Sequence, residues 1–364
     1  MPPSAGVSVG KRGFGLRLEA RTETPRWLVY TTPLLALALT VLSGAGLFAL
    51  LGVDPLEALY GFFIEPIADV YGWTELGVKA VPLALIALGL SLGFRANVWN
   101  IGAEGQLTIG AICAGGVALA FWGDGGWFTL PLMALAGLLG GMAYAAIPAL
   151  LRTRFNANEI LTSLMLTYVA QLFLGYLVTG PWRDPEGFNF PQSRNFDADG
   201  LMPIVLEGYR LHWGILAVVI AAIAAQAVLT RSLLGYRLTA AGLAPAAARF
   251  AGFSAPGIIW TCLLIGGACA GLAGMMEVAG PIGQLMPSVS PGYGFTAIIV
   301  AFLGRLNPLG ICVAALLLAL SYIGAEAAQV TLKLSASVGT VFQGLLLFFV
   351  LACDVLLAYR IRRG

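Results

Sequence analysis

Residues 99–107, WNIGAEGQL, place a carboxylate, two amides and two glycines between long apolar stretches. Polar and ionisable side chains at membrane depth are costly unless they face protein or water. Glycine allows a sharp change of backbone direction or the close approach of another helix. Irregular backbone inside a bilayer is tolerated only where it is buried in protein or lines a cavity. We therefore expect a break in a membrane segment here, held by Asn100, Glu104 and Gln106.

The composition around this stretch is that of an integral membrane protein. Of the 364 residues, 59% are hydrophobic and 10% are charged, and the mean hydropathy is +0.87. A soluble domain carries about a quarter charged residues, and a spanning helix needs roughly 20 apolar residues. Most charge-free intervals of the chain are that long. The ten intervals are 27–53, 80–94, 105–123, 125–151, 160–182, 211–230, 250–276, 278–304, 306–325 and 334–353. The sequence predicts an all-α, polytopic membrane protein with about ten transmembrane helices, some of them interrupted.

The distribution of basic residues predicts the topology. Arginines and lysines precede the first segment, follow the fourth, lie between the sixth and seventh, and end the chain. The connections after the first and fifth segments are acidic or mixed. Because basic residues favour the cytoplasmic side, both termini are expected there. The expected parts are a cytoplasmic arm at 1–27, a transmembrane domain at 28–358 with an outer loop at 181–210, and a cytoplasmic tail at 359–364.

Residues 278–304 form a second interrupted segment. Pro281, Pro287 and Pro291 lie in its first half, and proline both removes a helical hydrogen bond and disfavours helix in the residue before it. We expect an outer loop followed by a short or broken helix. Interrupted segments in corresponding positions of two halves are the best sequence pointer to the central pathway of a transporter.

Two acidic residues near segment starts have local explanations. Glu104 can cap a helix N-terminus, where a carboxylate satisfies free amides and favours the helix dipole. It can also face the pathway and pair across it with a cation such as Arg95, and the two roles can coexist. Asn158 and Glu159 are expected to begin the fifth segment as N-cap and first-turn acid.

The segment at 230–255 is the main connection on the inner side. The pattern at its centre predicts two short amphipathic helices on either side of GLAP (242–245). Pro245 suits the first turn of the second helix. Such a weakly charged helix pair offers a surface to a cytoplasmic partner. An ordinary interfacial loop is the alternative.

The sequence offers no pattern for catalysis. His212 is the only histidine, and the five cysteines are scattered through apolar intervals without paired spacing. A P-loop pattern is missing from the sequence, so nucleotide hydrolysis by that route is excluded. We therefore expect no cofactor, no metal and no nucleic-acid partner, and energy for transport must come from a separate subunit or an ion gradient.

Four stretches carry a family resemblance. They are NVWNIGAEGQLTIGA (97–111), NEILTSLMLTYVA (158–170), GYRLTAAGLAPAAARFAGFS (235–254) and PGYGFTAIIVAFLGRLNPLGI (291–311). Over roughly 28–358 the chain resembles the permease subunit of bacterial ABC importers. Within these it is most similar to the nucleoside (basic membrane protein) branch of the ribose and branched-chain amino acid permease superfamily.

The resemblance implies a multi-pass protein of the bacterial inner membrane that imports a small polar solute. Its implied partners, besides membrane lipid, are a cytoplasmic ABC ATPase, a second permease subunit in a heterodimer, and a substrate-binding protein or lipoprotein. ATP would be hydrolysed by the ATPase, so this chain would be a transport subunit and not an enzyme. Nucleosides or purines are the expected solutes, and another riboside or a vitamin such as riboflavin would also suit. A secondary transporter driven by a proton or sodium gradient is the alternative, and it would not need the segment at 230–255.

The polar pattern and the resemblance together assign two sets of residues. The expected translocation-pathway residues are Asn100, Glu104, Gln106, Thr167, Phe295 and Thr296. The expected ATPase-coupling residues are Gly235, Tyr236, Gly242, Pro245, Ala247 and Gly252. The sequence departs from the family pattern at 239–245, where TAAG and Ala-Pro replace an Arg-Ala-Val-Gly-like run and Asn-Pro. It also departs at position 167, where family members often have asparagine.

Overall fold

The computed structural model describes residues 16–20, 26–335 and 337–363, with side chains described at 31–335 and 337–353. Of the arm expected at 1–27, residues 1–15 and 21–25 lie outside the described residues. The chain divides into two compact units. One is Ile67–Ile323, and the other combines Met1–Pro66 with Gly324–Gly364.

Helices make up nearly all of the described structure, as the sequence predicts. They are α1 (Arg26–Leu50), α2 (Pro55–Phe63), α3 (Val70–Arg95), α4 (Ala103–Ala120), α5 (Thr129–Phe155), α6 (Glu159–Thr179), α7 (Gly214–Arg231), α8 (Leu233–Leu243), α9 (Pro245–Phe250), α10 (Ala255–Glu277), α11 (Tyr293–Leu303), α12 (Pro308–Thr331) and α13 (Ser337–Ala358). Short 3₁₀ turns lie at Glu65–Ile67 and Ala198–Gly200, and a π turn at Val278–Ile282 extends α10. Two short strands, β1 (Leu16–Ala20) and β2 (Tyr359–Arg363), pair antiparallel, which the sequence does not predict.

Eight helices in the described part of the chain are long and apolar enough to cross a membrane. Their spans are Thr31–Leu50, Val70–Arg95, Ala103–Ala120, Thr129–Phe155, Glu159–Thr179, Gly214–Arg231, Ala255–Ile282 and Pro308–Thr331. Two shorter apolar helices, Tyr293–Leu303 and Ser337–Cys353, fall in the remaining charge-free intervals. The all-α membrane fold is confirmed, while the count of ten spans stays a prediction.

Close glycine contacts form the centre of the larger unit, where α4, α5 and α10 cross. A Cβ atom at Gly271 would meet the backbone of Gly137 and Gly141, and one at Gly110 would meet Gly271 in turn. Small residues allow membrane helices to approach closely and gain packing energy that lipid cannot supply. The three helices therefore form a rigid core, and α3, whose apolar window is 89% buried, packs against α10.

The interrupted segment after α10 has the predicted form of a loop and a short helix. Residues 283–292 are irregular and α11 has only 11 residues. The long connection between α6 and α7 runs along this loop. Backbone N–H groups of Phe196 and Met202 donate to the carbonyls of Gly283 (2.8 Å) and Ala279 (2.7 Å). The two connections expected on the outer side therefore bind each other.

The smaller unit has an aromatic centre. Phe342 of α13 stacks on Phe62 of α2, with ring centroids 4.7 Å apart, and lies 5.5 Å from the ring of Phe48 in α1. These rings and the aliphatic residues beside them are buried. They join α1, α2 and α13 into one packed group.

Candidate translocation site

The stretch WNIGAEGQL connects two helices. α3 ends at Arg95, Asn97 turns the chain in the left-handed region (φ 57°), and α4 begins at Ala103. The expectation of a break within one membrane segment is therefore corrected. The break is a buried connection at 96–102 between two complete helices, because α3 begins well before its charge-free interval, at Val70.

Asn100 and Gln106 hold this connection together. The Asn100 amide donates to Gln106 Oε1 at 2.8 Å, and the Gln106 amide donates back to Asn100 Oδ1 at 3.0 Å. Asn100 Oδ1 also accepts the Gly102 N–H at 3.2 Å. Both side chains are buried. Since buried amides are costly without partners, this reciprocal pair fixes the connection against the first turns of α4.

Glu104 caps a helix other than its own. Its side chain is 1% exposed, and Oε2 accepts the Gly294 N–H, in the first turn of α11, at 2.6 Å. Ser290 and Gly292, just before that helix, also interact favourably with the carboxylate. Gly294 is required here because a Cβ atom would strike the backbone of Glu104. The carboxylate therefore sits at the positive N-terminal end of α11.

The alternative prediction, an ion pair between Glu104 and Arg95, is wrong. The Arg95 guanidinium donates to the carbonyl oxygen of Leu306 instead, from Nη2 at 2.8 Å and Nε at 3.2 Å. Leu306 lies in the connection between α11 and α12. The buried charge of Glu104 is thus balanced by the donors and dipole of α11.

The remaining predicted pathway residues lie on both sides of α4. Thr296 of α11 is buried and its hydroxyl lies 2.8 Å from the Tyr322 hydroxyl of α12. Phe295 is partly exposed, at 37%. Thr167 of α6 is buried, bonds the Ser163 carbonyl, and packs against Gly105 of α4 so closely that a Cβ atom at Gly105 would touch its backbone. The first turn of α11 contains Phe295 and Thr296 and is bound by Glu104. Thr167 lies elsewhere, where α6 packs against α4.

The predicted coupling segment forms two short helices, as expected. Pro245 occupies the start of α9, and Ser232 caps α8 by accepting the Gly235 N–H at 3.1 Å. Gly252 has φ 82°, which suits the turn after α9. Tyr236, Pro245 and Ala247 are exposed.

Gly235 and Gly242, in contrast, pack against this chain itself. A Cβ atom at Gly235 would meet the backbone of Val228 and Leu229, and one at Gly242 would meet the carbonyl of Arg95. These two glycines shape the segment. The surface open to a partner is formed by the exposed residues of α8 and α9, and it includes the almost fully exposed Phe250 (98%).

Sequence reasoning missed Ser290, Gly294 and Leu306. The Ser290 hydroxyl accepts the N–H groups of Gly292 (3.1 Å) and Tyr293 (3.0 Å) and so caps α11. The run SPGYG (290–294) held a usable signal, because a serine close to a helix start can cap it and glycine allows another helix to approach closely. Nothing in the sequence marked Leu306, since its role depends only on its carbonyl.

Comparison with known proteins gives the family. Residues 74–351 match the family described as branched-chain amino acid transport system / permease component. The chain belongs to this permease family. Among individual proteins, it is 38% identical to a glucose ABC transporter permease of Haloferax volcanii, over 96% of this chain and 95% of the relative. It is 31% identical to a guanosine ABC transporter permease of Bacillus subtilis (80% and 84%) and 28% identical to a nucleoside ABC transporter permease of Lactococcus lactis (80% and 83%). No solved structure is significantly similar to the chain.

Family membership confirms the resemblance drawn from the four sequence stretches. The chain is a multi-pass ABC transporter permease, a transport subunit rather than an enzyme, and ATP is hydrolysed by a separate ATPase subunit. All three relatives are named as ABC permeases. They favour this class over a carrier driven by a proton or sodium gradient.

Proposed function

We propose that this permease imports nucleosides or purines and that its pathway runs beside the N-terminus of α11. The relatives named for guanosine and nucleoside transport carry the solute assignment. Geometry supports the pathway assignment, because Glu104, Thr296 and the partly exposed Phe295 meet at one helix start. An exposed aromatic ring in the first turn of this helix suits a solute with a flat base.

The pairing of polar groups at this site defines what each residue does in the proposal. Asn100 and Gln106 satisfy each other's hydrogen-bonding groups, and Glu104 accepts a hydrogen bond from the first turn of α11. In the proposal these three residues therefore position the pathway. Phe295 and Thr296 are then the residues on α11 closest to a passing solute. Thr167 acts from α6, by fixing α4 through its contact with Gly105.

We place the ATPase against the exposed faces of α8 and α9. Tyr236, Ala247 and Phe250 present apolar surface there, and exposed apolar patches mark interaction sites on proteins. The arginines of this segment favour the cytoplasmic side, where an ATPase would be found. A second permease subunit in a heterodimer and a substrate-binding protein or lipoprotein complete the proposed transporter.

We also place both termini in the cytoplasm of a bacterial inner membrane. The antiparallel pairing of β1 with β2, in which Leu16 lies opposite Arg363, supports a common side for the two ends. The hydrogen bonds between the connections at 181–213 and 279–285 support a common side for those two, which we place outside the cytoplasm.

Glucose is the second candidate solute. The relative named for glucose is 38% identical and is covered almost completely. A hexose and the ribose of a nucleoside share a ring bearing neighbouring hydroxyls, which the same hydrogen-bonding groups could recognise.

Uptake of labelled solutes separates the two candidates. The complete transporter is reconstituted in proteoliposomes, with ATP on the side of the membrane that the ATPase faces. These proteoliposomes should accumulate tritiated guanosine. Excess unlabelled adenosine should compete and excess unlabelled glucose should not. Accumulation of labelled glucose without guanosine uptake would overturn the nucleoside assignment in favour of the hexose.

A further inference from the structure

The short helix α11 is held near both ends by charged side chains from other helices. Glu104 of α4 binds its first turn through the Gly294 N–H. Beyond its last residue, Arg95 of α3 donates two hydrogen bonds to the carbonyl of Leu306, at 2.8 and 3.2 Å. Most residues of α11 are buried. The helix is therefore attached at two points to two different helices.

The connection that Arg95 binds has an unfavourable backbone conformation. Arg305 and Leu306 have φ values of 57° and 54°. A bulky residue rarely adopts this left-handed conformation, and it persists where the surrounding structure fixes it, often at switch regions. The forked guanidinium on the Leu306 carbonyl supplies such a constraint. The turn between α11 and α12 thus depends on the position of Arg95.

Aromatic stacking ties the same end of α11 to the end of α3. Phe302 of α11 stacks on Phe94, with centroids 5.1 Å apart, and on Trp99, at 5.7 Å. Phe94 precedes Arg95 directly. Polar and apolar contacts therefore link the last turn of α3 to the C-terminal end of α11.

The cytoplasmic helices touch Arg95 from the other side. Gly242 of α8 lies against the Arg95 carbonyl with no space for a side chain between them. Arg95 thus contacts α8 through its backbone and the α11–α12 connection through its guanidinium. Arg95 therefore joins α8 to the connection at the end of the short helix.

We infer that Arg95 is a positioning residue that transmits movement of α8 to α11 during transport. The inference rests on the proposed docking of the ATPase on α8 and α9. When α8 shifts, Arg95 moves the α11–α12 connection, and α11 turns about its attachment to Glu104. The simpler role is that of a cation at the C-terminus of α3, which stabilises the helix dipole and orients the segment.

Transport stoichiometry distinguishes these roles. In the complete transporter in proteoliposomes, Arg95→Ala should retain solute-stimulated ATP hydrolysis within about twofold, while guanosine uptake per ATP falls about tenfold or more. Arg95→Lys, which keeps one donor, should give an intermediate ratio. Arg154→Ala removes a matched arginine from the last turn of α5 and should leave the ratio unchanged. If uptake and hydrolysis fall in proportion in Arg95→Ala, or the ratio is unchanged, the inference is overturned.

A second variant tests whether Arg95 only holds the turn. Leu306→Gly keeps the carbonyl and removes the conformational penalty, because glycine tolerates positive φ. If Arg95 transmits movement, Arg95→Ala combined with Leu306→Gly should still show low uptake per ATP. Full recovery of the ratio in the double variant would contradict transmission. If the unaltered transporter itself showed no uptake of guanosine or glucose coupled to ATP, the proposed function would fail instead, so the two failures are distinguishable.

Discussion

Glu104 illustrates how this protein accommodates a carboxylate at membrane depth. An ionised group away from water is costly unless it is paired and hydrogen-bonded. Here the N-terminal end of α11 supplies both an N–H donor, at Gly294, and a favourable dipole. The same contact fixes the start of the short helix. The residue therefore stabilises the fold and positions the proposed pathway through one interaction.

Substitution of Glu104 should separate its charge from its hydrogen bond. Glu104→Gln keeps an acceptor for the Gly294 N–H and should lower the free energy of unfolding by about 1 kcal/mol. Glu104→Ala leaves that donor without a partner and should cost about 1–3 kcal/mol. Uptake should fall sharply in both variants, because both remove the charge that holds the start of α11. Thermal unfolding and uptake on one preparation measure these effects.

The control for this experiment is Glu186→Gln. Glu186 is an exposed residue of the long loop after α6, so its substitution should leave stability and uptake unchanged. Normal uptake by Glu104→Gln would show that the charge is dispensable to transport.

His212 should make stability depend on pH. The side chain is 2% exposed, and burial lowers its pKa from 6.5 to about 4. Between those values the unfolded chain binds the proton more readily, so stability is complete above about pH 6.5 and falls as the pH drops towards 4. The full loss for such a shift is about 3 kcal/mol.

The variant His212→Asn isolates this effect. Asparagine keeps an acceptor for the Gly214 N–H, which His212 Nδ1 now accepts at 3.1 Å, but it does not titrate. Thermal unfolding at pH 7.5 and at pH 4.5 should show a smaller loss of stability in the variant than in the unaltered protein. Equal losses would mean that folding does not change the pKa of His212.

At the scale of elements, local signals were predictable and contacts between distant segments were not. Asn158 caps the N-terminus of α6 by accepting the Ile160 N–H at 2.9 Å, as the sequence predicts. Pro245 begins α9, also as predicted. The partner of Glu104, by contrast, lies 190 residues away. The start of α3 was also missed, because charged residues in its first turns end the apolar interval at residue 80. Glu75 is tolerated there because Arg210, in the connection before α7, forms an ion pair with it at 3.1 Å.

The exposed face of α9 provides a clean test of ATPase docking. Ala247→Asp should lower solute-stimulated ATP hydrolysis by at least about tenfold, because an unpaired charge buried at a contact costs several kcal/mol. Insertion and thermal unfolding should be unchanged. Gly242→Asp would be less informative, since Gly242 packs against Arg95 of this chain.

Asn156→Asp is the matched control for α9. Asn156 is exposed after α5, in the left-handed conformation that aspartate also tolerates. The substitution Asn156→Asp adds the same negative charge as Ala247→Asp, but outside the proposed docking surface. Equal losses of hydrolysis in both variants would contradict docking on α9.

At the scale of the whole molecule, two sets of backbone contacts support the proposed topology. β1 pairs with β2, and the loop after α6 binds the loop after α10. The distribution of arginines predicts the sides of the membrane on which these segments lie, but it could not predict the pairing itself. Backbone hydrogen bonds between connections leave no pattern in charge or hydropathy.

Labelling from each side of the membrane tests this topology. Asn195 and Ala244 are exposed residues of the proposed outer and inner connections. In intact cells, an impermeant thiol reagent should label Asn195→Cys and not Ala244→Cys, and in inside-out vesicles the order should reverse. The unsubstituted protein is the control, since its described cysteines lie within apolar helices. Labelling of both positions from the same side would contradict the proposed orientation.

The source of energy for uptake tests the central claim most directly. The complete transporter should accumulate labelled guanosine or glucose in proteoliposomes only when ATP is present on the side of α8 and α9. A proton or sodium gradient without ATP should drive no uptake, and this chain alone should transport neither solute. Gradient-driven accumulation by this chain in the absence of ATP and of the ATPase subunit would contradict the account.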